Sequence, residues 1–583
     1  MIEKEIKMLI KETVKKLLKE KELSSVKVLE ILIEIPEKEI HGDYSINIAF
    51  LLAKTLKQKP MKIAKDIVQK IEKEANFAKI KKVEAIEPGF INFWLSGQVM
   101  IANLGKILKE KDKYGSLETK DVKKTLVIDY SSPNIAKSFG VGHLRSTVIG
   151  QSLYNIYKFL GWKVIGDNHL GDWGTQFGKL IVAIKKWNKK EIEGLTIGEL
   201  EKLYVKFHQE AKIQPELLEQ AREWFKKLEQ GDREAKEMWQ FCVSLSLKEF
   251  NKIYDLLGIK IDHTLGESFY QDKMEAVIQD SREKNIAQES EGALVVFLPK
   301  DKTPFMVLKS DGATTYGTRD LATIKYRMEK WKPDLIIWEV GADQKFYFKQ
   351  LFKVAEMLGY GRKEQFKHIA HGLIRWTDAK FSTREGDTIH LEGILTEAIK
   401  RASKIIDKSK IEESTSQKEK EEIARQIGIG AIKYNDLSRH YSKDIIFDWE
   451  SMLSLDGNSG PYLQYTAVRC QSVLDKANRP RFNLGKVTQS DCVSINKEER
   501  LILKTLYNFP SVVKKSALHF SPNLICNFVF DLAQKYNLFY EKYPVLAAKT
   551  KKNREFRIAL TAGTRQVLEN CLTLLGISVP KKM

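Results

Sequence analysis

Apolar residues near the start of the chain recur at the spacing of one helical face. They are Ile2, Ile6, Leu9, Ile10, Val14, Leu17 and Leu18. Charged residues fill the opposite face, so the pattern predicts an amphipathic helix over residues 2–18 that packs against its own domain. Binding to a membrane surface is the alternative interpretation. Two more helix patterns cover residues 47–56 and 60–71, a strand pattern covers 85–95, and a polar break at 112–116 closes this N-terminal α+β domain.

The middle of the chain alternates between strand and helix patterns. A strand pattern at residues 125–130 precedes a helix pattern at 144–160. Further strand patterns follow at 164–165, 293–298, 305–308, 335–340 and 368–370. Strands that alternate with helices predict a parallel, doubly wound α/β sheet. A long helical stretch rich in lysine and glutamate, at about 175–257, interrupts this alternation and predicts a helical insertion.

The last third of the chain is helical in pattern. Residues 408–422 are almost wholly polar and charged, and they predict a mobile loop within a helical hairpin. Apolar stripes that predict an all-helical bundle recur at 501–506, 524–532, 536–546 and 567–575. The expected organisation has four parts: an N-terminal domain at 1–115, an α/β domain at 116–390 with its helical insertion at about 176–290, a connecting helical segment at 391–455 and an all-helical domain at 456–583.

Charge and cysteine content narrow the possible partners and compartments. The chain has 97 Lys and Arg residues against 77 Asp and Glu residues, a net charge of +20, which favours a nucleic-acid partner. General lysine richness is the alternative. We expect no transmembrane helix, because no run approaches 18 apolar residues, and the early acidic residues Glu3, Glu5 and Glu12 argue against a targeting peptide. Five cysteines without a C-x-x-C pair predict no zinc site and fit a reducing cytoplasm.

Two short segments carry the chemistry. Residues 131–146 read Ser-Ser-Pro-Asn-Ile-Ala-Lys-Ser-Phe-Gly-Val-Gly-His-Leu-Arg-Ser, between the strand pattern at 125–130 and the following helix pattern. A small Gly-Val-Gly-His turn at a helix N-terminus lets a nucleotide approach the backbone. Residues 380–386 read Lys-Phe-Ser-Thr-Arg-Glu-Gly, whose cations and hydroxyls suit phosphate. Taken alone, the first could be an ordinary turn and Lys380 a solvated surface lysine.

Together the two segments resemble the ATP-binding motifs of class I aminoacyl-tRNA synthetases. Their flanks resemble one family, the arginyl-tRNA synthetases, as does the run Asn-His-Leu-Gly-Asp-Trp-Gly-Thr-Gln-Phe-Gly at 168–178. The resemblance extends over nearly the whole chain, through segments at 42–44, 88–93, 309–322, 341–344, 460–465, 532–541 and 575–580. It implies a Rossmann-type parallel sheet in the catalytic domain, an N-terminal domain that contacts tRNA, and a C-terminal anticodon-binding bundle.

The resemblance also implies an activity. Such an enzyme activates L-arginine with ATP to arginyl-adenylate, transfers arginine to the 3′-terminal ribose of tRNA(Arg), and releases AMP and pyrophosphate. Mg²⁺ accompanies the ATP, activation is expected to require bound tRNA, and the enzyme is expected to be a cytoplasmic monomer. The rival interpretations are a small nucleotidyltransferase of the same superfamily and a degenerate synthetase that only binds RNA.

The motifs assign roles to residues of the ATP site. The expected catalytic residues are His143, Lys137 and Lys380. The expected ATP-binding residues are Gly140, Gly142, His143, Lys380, Phe381 and Ser382. Two positions depart from the class I pattern: Gly140 stands where the first motif usually has histidine, and Thr383 stands where the second usually has its second lysine. In arginyl enzymes with the latter loss, a lysine before the first motif is thought to replace it; here that is Lys137.

An arginine substrate needs carboxylates and neutral acceptors, because a guanidinium is planar, always charged and offers a fork of donors. The residues expected to supply them, at strand ends and in family motifs, are Asp129, Asn134, Tyr316, Asp320 and Gln344. His169, in the run at 168–178, is also expected to bind arginine. Each alone is more often an ordinary polar loop residue. For tRNA, the candidates are Phe90, Phe93, Asn537 and Tyr540, with core packing as the alternative.

Overall fold

The computed structural model describes residues 2–23, 31–36, 38–74, 79–118, 122–299, 301–376, 390–407, 415–477 and 495–583. They group into two compact units. The first comprises Met1–Lys111, Val473–Asn508 and Gln534–Gln566, and the second comprises Asp112–Ser472, Phe509–Ala533 and Val567–Met583. Among the described residues, no helix has the length and apolar character needed to cross a membrane.

The described helices, in chain order, are α1 (Ile2–Glu20), α2 (Ile48–Leu56), α3 (Pro60–Glu74), α4 (Gly97–Glu110), α5 (Gly142–Phe159), α6 (Thr175–Trp187), α7 (Ile197–Glu210), α8 (Glu216–Glu229), α9 (Arg233–Leu257), α10 (Met274–Glu283), α11 (Tyr316–Trp331), α12 (Lys345–Met357), α13 (Leu391–Asp407), α14 (Gln417–Leu437), α15 (Trp449–Leu453), α16 (Gly460–Lys476), α17 (Lys497–Leu518), α18 (Asn523–Lys542) and α19 (Lys551–Leu574).

The described strands are β1 (Ile33–Glu34), β2 (Tyr44–Ile46), β3 (Ile80–Ile86), β4 (Phe90–Leu95), β5 (Thr125–Asp129), β6 (Lys163–Asp167), β7 (Gln288–Ser290), β8 (Ala293–Val296), β9 (Phe305–Leu308), β10 (Leu335–Gly341), β11 (Phe366–His371), β12 (Ile374–Trp376) and β13 (Ile445–Phe447).

The first unit contains an antiparallel sheet of order β1–β2–β4–β3. The single strand expected at 85–95 is wrong, because the chain turns at Pro88 and Gly89 and returns as a hairpin of β3 and β4. Proline cannot donate to the ladder, and Gly89 has φ +145°, with Pro60 only 2.6 Å from where a β-carbon would be. The stripe on α1 is confirmed as a buried face.

The second unit is built on a parallel sheet of order β11–β10–β5–β6. The register pairs Trp338 of β10 with Asp129 of β5, and Asp129 in turn with Asp167 of β6. The predicted parallel sheet is confirmed, but two of the strands that the pattern assigns to it lie elsewhere. The strands expected at 293–298 and 305–308 form, with β7, a separate antiparallel sheet. The link between β8 and β9 is too short for the helical crossover that parallel neighbours require.

The helical parts of the second unit largely follow the expected pattern. The stretch at 175–257 forms α6 to α9. Helices α13 and α14 pack against each other, so the hairpin is confirmed. The polar pattern predicts a loop as far as residue 422, but α14 already begins at Gln417, where the Ser416 side chain and Glu419 cap each other's backbone N–H groups. Residues 408–414 lie outside the described residues.

Candidate active site

A cavity of about 750 Å³ opens at the carboxyl ends of β5 and β10 in the second unit. Ligands of open parallel sheets bind at this edge, because the loops that follow the strands meet there. The structure brings together all six residues expected to bind arginine, since the cavity is lined by Asp129, Asn134, His169, Tyr316, Asp320 and Gln344. Gly142 and His143, at the start of α5, line the same cavity.

The loop between β5 and α5 has an unusual backbone. Ser131, Ser132 and Ala136 all have positive φ, at 75°, 44° and 62°, which costs free energy for residues other than glycine. Hydrogen bonds from elsewhere hold it: Ser131 N donates to Ser146 Oγ at 2.9 Å, and Ser132 N donates to Asn168 Oδ1 at 3.0 Å. The surrounding structure therefore fixes the position of the motif residues.

His143 lies in the first turn of α5, with its ring edge-on to Phe139 at 5.6 Å between centroids. Burial lowers its pKa; a hydrogen bond to the backbone of Ser131 opposes this, while the positive charges of His371 and Lys137 add to the lowering. The imidazole is therefore neutral at pH 7, and it can offer an N–H donor to phosphate without carrying a charge of its own.

Five carboxylates line the cavity, and three of them already pair with cations of the chain. Asp129 lies 2.7 Å from Nη2 of the buried Arg327. Glu267 lies 3.2 Å from Nη1 of Arg319. Glu339 lies 3.1 Å from Nδ1 of His371.

The two remaining carboxylates belong to Asp320 and Asp343, and only Asp320 lies in a partly enclosed position. It comes from the second turn of α11, accepts a hydrogen bond from the hydroxyl of Tyr347 on α12, and lies 4.0 Å from Nε2 of His169. Burial raises the pKa of Asp320, while His169 and the Tyr347 hydroxyl act in the opposite direction. Asp320 is thus the acidic group of the cavity best placed for a cationic ligand.

The motifs did not indicate Glu267, Glu339, Tyr347 or His371. Glu267 lies in a short 3₁₀ segment between α9 and α10, which no sequence pattern singled out. Glu339 and His371 stand near the carboxyl ends of β10 and β11. Their positions at strand ends were the available signal, since such positions face the ligand edge of a parallel sheet.

Three models of known protein families match this chain, and together they cover most of its length. A model described as "tRNA synthetases class I (R), catalytic domain" matches residues 103–449. "Arginyl tRNA synthetase N terminal domain" matches residues 4–95, and "DALR anticodon binding domain" matches residues 463–583. An arginine–tRNA ligase from Clostridium botulinum is 42% identical over 571 residues, which cover 97% of this chain and 98% of that protein. The chain belongs to the arginyl-tRNA synthetase family.

Other relatives agree with that assignment. An arginine–tRNA ligase from Clostridioides difficile is 42% identical over 573 residues, covering 97% of this chain and 98% of that protein. The crystal structure of arginyl-tRNA synthetase from Plasmodium falciparum superposes with a TM-score of 0.83 at 25% identity, covering 100% of this chain and 99% of that one. Thermus thermophilus arginyl-tRNA synthetase, at 23% identity and a TM-score of 0.81 over the whole of both chains, shares the fold.

Several expected residues of the family's ATP site lie away from the cavity wall. Lys137 is exposed, with Nζ 5.8 Å from the centroid of the Tyr204 ring, and it is not among the described residues that line the cavity. Its charge nevertheless acts on His143. The backbone of Gly140 is buried and bridges to His390. Lys380, Phe381, Ser382 and Thr383 lie outside the described residues.

The residues expected to contact tRNA differ in exposure. Phe93 is fully buried in the sheet of the first unit, so the prediction that its ring stacks on a base is wrong. Phe90 is half-buried against Phe50, 5.0 Å between centroids. Asn537 is buried, whereas Tyr540 keeps 39% of its surface exposed. The Tyr540 ring stacks on Tyr536, 6.3 Å between centroids, and Tyr540 is the most exposed of the four.

Proposed function

We propose that this chain is an arginine–tRNA ligase that forms arginyl-adenylate from L-arginine and ATP and then esterifies the 3′-terminal ribose of tRNA(Arg). The observation that carries the proposal is the cavity itself, where an available carboxylate and the helix N-terminus of the phosphate-binding motif line one volume. Membership of the arginyl-tRNA synthetase family supports the same conclusion.

Asp320 is the main recognition group for the guanidinium in this proposal. Its carboxylate accepts the substrate's fork of N–H donors, while Tyr316 and Gln344 supply neutral polar groups around it. Asp129 is already paired with Arg327 and serves to shape the site. A site built to satisfy five donors leaves its acceptors unpaired with lysine or citrulline, so discrimination of roughly 10⁴-fold is expected without editing.

ATP places its phosphates at the N-terminus of α5, where the backbone N–H groups and helix dipole favour anions. Gly142 and His143 line this end of the cavity, and Gly140, Lys380, Phe381 and Ser382 complete the ATP site in the proposal. Mg²⁺ enters with the triphosphate as part of the substrate. Among the described residues, no cluster of three or more His, Cys, Asp or Glu side chains is placed to hold a metal ion.

The chemistry consists of two displacements without a protein nucleophile. The arginine carboxylate attacks the α-phosphorus and pyrophosphate leaves; a terminal ribose hydroxyl then attacks the carbonyl carbon and AMP leaves. The protein contributes positioning and stabilisation of developing charge through His143, Lys137 and Lys380. We propose that activation needs bound tRNA and that the enzyme acts as a cytoplasmic monomer.

The net charge of +20 supports the tRNA part of the proposal. Each phosphate neutralised by lysine or arginine releases counterions, so the logarithm of the tRNA affinity should fall linearly with the logarithm of salt concentration. Charge does not distinguish one tRNA from another. Selection among tRNAs requires contacts to exposed bases, for which Tyr540 is the proposed candidate, and Phe90 and Asn537 remain weaker ones.

ATP–pyrophosphate exchange with and without tRNA tests the proposal against its rivals. We expect exchange that depends on arginine and rises strongly when tRNA(Arg) is added. A nucleotidyltransferase needs a different acceptor to attack the α-phosphorus, so it would show no exchange that depends on arginine, with or without tRNA(Arg). A degenerate synthetase would bind RNA and show no exchange, and either of these two results would contradict the proposed function.

A further inference from the structure

His371 ends β11 at the wall of the cavity, next to the motif at the start of α5. Its Nδ1 lies 3.1 Å from each carboxylate oxygen of Glu339 on the neighbouring strand β10. The register places both side chains on one face of the sheet, because Gly341 pairs with His371 and Glu339 pairs with Ile369. The imidazole is therefore held in one orientation by a carboxylate.

The Glu339 side chain is fully buried, which makes the pair unusual as a purely structural feature. Removing a carboxylate from water is unfavourable, and a buried ion pair is often no more stable than two apolar side chains of similar volume. Packing alone therefore does not explain why a carboxylate and an imidazole stand at this position. A role for the imidazole in binding a ligand of the cavity does explain it.

The second ring nitrogen of His371 is available to a ligand. Nε2 has no hydrogen-bond partner among the residues that the structure describes. Gly341 lies beside it, where even an added β-carbon would stand 3.8 Å away, so no side chain from β10 covers that side of the ring. Nδ1 holds the ring to Glu339, and Nε2 remains as a donor at the cavity wall.

The charged groups around His371 favour its protonated form. Burial and the nearby Arg145 lower its pKa, but Glu339 and Asp436 raise it, and the net direction is upward. His143 on α5 and His368 on the same strand also act electrostatically with His371, and the pKa of each is lowered. The surroundings therefore favour the neutral form of the imidazole at His143 and the protonated form of the imidazole at His371.

Gly140 stands where the first motif usually has histidine, so one imidazole of the usual ATP site is missing. A protonated imidazole at His371 can take its role. We propose that His371 is an additional catalytic residue whose Nε2–H donates to the phosphate chain of ATP, in place of the imidazole missing at position 140. This inference rests on the proposed function. During activation a bond forms between the arginine carboxylate oxygen and the α-phosphorus, and the bond to the pyrophosphate oxygen breaks. His371 keeps its proton and stabilises the negative charge.

The test compares His371→Gln with His368→Gln, a histidine three residues earlier on the same strand that is not among the described residues lining the cavity. Arginine-dependent exchange by the wild-type chain first establishes the proposed function. For His371→Gln, we expect kcat/KM for ATP to fall by about 10- to 1,000-fold, as for other lost donors to developing charge. The arginine KM should stay within about threefold, and the control should match the wild type. The ratios of variant to wild-type kcat and kcat/KM distinguish two kinds of contact. Loss of a contact made only in the transition state lowers both values together, whereas loss of a ground-state contact raises KM alone.

Rescue and pH provide independent readouts. Adding Gly140→His to His371→Gln should recover about tenfold or more in kcat/KM for ATP, whereas Gly140→Ala should not. Gly140 is not among the described glycines with positive φ, so its backbone permits a side chain. Because the cationic form is active, activity should decline as pH rises through the His371 pKa, and Glu339→Gln should move that decline to lower pH.

Two results would overturn the role of His371 and leave the proposed function standing. One is a kcat/KM for ATP within about threefold of wild type in a His371→Gln variant that melts like the wild type. The other is an unchanged alkaline limb in Glu339→Gln, which decides the question even if substitution of His371 prevents folding.

Discussion

Arg327 and Asp129 form an ion pair in the interior of the second unit, with Nη2 2.7 Å from the carboxylate and the arginine side chain fully buried. The same nitrogen lies 2.9 Å from Asp167. One residue of α11 therefore joins the carboxyl ends of β5 and β6, directly beneath the cavity. The pair gives Asp129 a structural partner, which is why we propose that Asp320 rather than Asp129 recognises the guanidinium.

Replacing Arg327 with methionine should destabilise the chain strongly. The change removes the cation that pairs with both aspartates and leaves two buried carboxylates without it, a loss of roughly 3–5 kcal/mol for a broken buried pair. A lower urea midpoint would show it. Arg233→Ala, which breaks an exposed pair with Glu237, is the matched control and should leave the midpoint unchanged. Equal midpoints for both variants would mean that the buried pair contributes nothing to stability.

Asp320→Ala should raise the arginine KM by about 10- to 150-fold, the range expected for loss of a charge-assisted hydrogen bond. The ATP KM should remain within a few-fold of wild type, because the phosphate end of the cavity is formed by α5. Asp320→Asn separates charge from shape, since the amide oxygen can still accept from Tyr347. An unchanged arginine KM in a folded Asp320→Ala variant would remove Asp320 from the binding site.

The parallel sheet, and the grouping in one cavity of the residues proposed to bind arginine, follow from the sequence for a physical reason. Strand ends of a parallel sheet converge on one edge, so Asp129 and Gln344 could be placed together from the pattern alone. The Arg327 partner of Asp129 could not, because it comes from the interior of a helix almost 200 positions later. Phe93 was misassigned because an aromatic residue in a short strand looks the same whether its face of the sheet is buried or exposed.

Lys137→Ala should lower the activation rate more than it weakens arginine binding. Lys137 is exposed beside Tyr204, and its charge acts on His143. In the proposed role it stabilises the negative charge that develops on the phosphates. Loss of such a contact lowers kcat and kcat/KM together. Thr383→Lys in the same chain should restore part of the rate. Kinetics of Lys137→Ala that match the wild type would refute the idea that Lys137 replaces the missing lysine.

Lys433 gives a prediction about pH and stability. It is buried in α14, donates to the carbonyls of Leu257 and Gly576, and burial lowers its pKa from 10.5 to about 7. Between these values the unfolded lysine holds a proton that the folded one has released, so unfolding takes up a proton and stability increases with pH.

Lys433→Met lacks this linkage, and it serves as the reference. The melting temperature of the wild type relative to Lys433→Met should therefore rise between pH 7 and pH 9.5. The matching difference in the free energy of unfolding should increase by at most about 1.4 kcal/mol per pH unit. Other titrating groups are common to both chains and cancel in the difference. A constant difference across this range would show that Lys433 stays protonated in the folded chain, held by its two carbonyl partners.

Charging of tRNA(Arg) with labelled arginine, and in parallel with labelled lysine or citrulline, is the decisive measurement for the proposed function. We expect the chain to attach arginine to tRNA(Arg) in an ATP-dependent reaction, neither lysine nor citrulline to be attached at a detectable level, and Asp320→Ala to lose most of the charging at low arginine concentration. A folded chain that binds tRNA yet attaches no arginine, or one that charges lysine as readily as arginine, would contradict the proposed function.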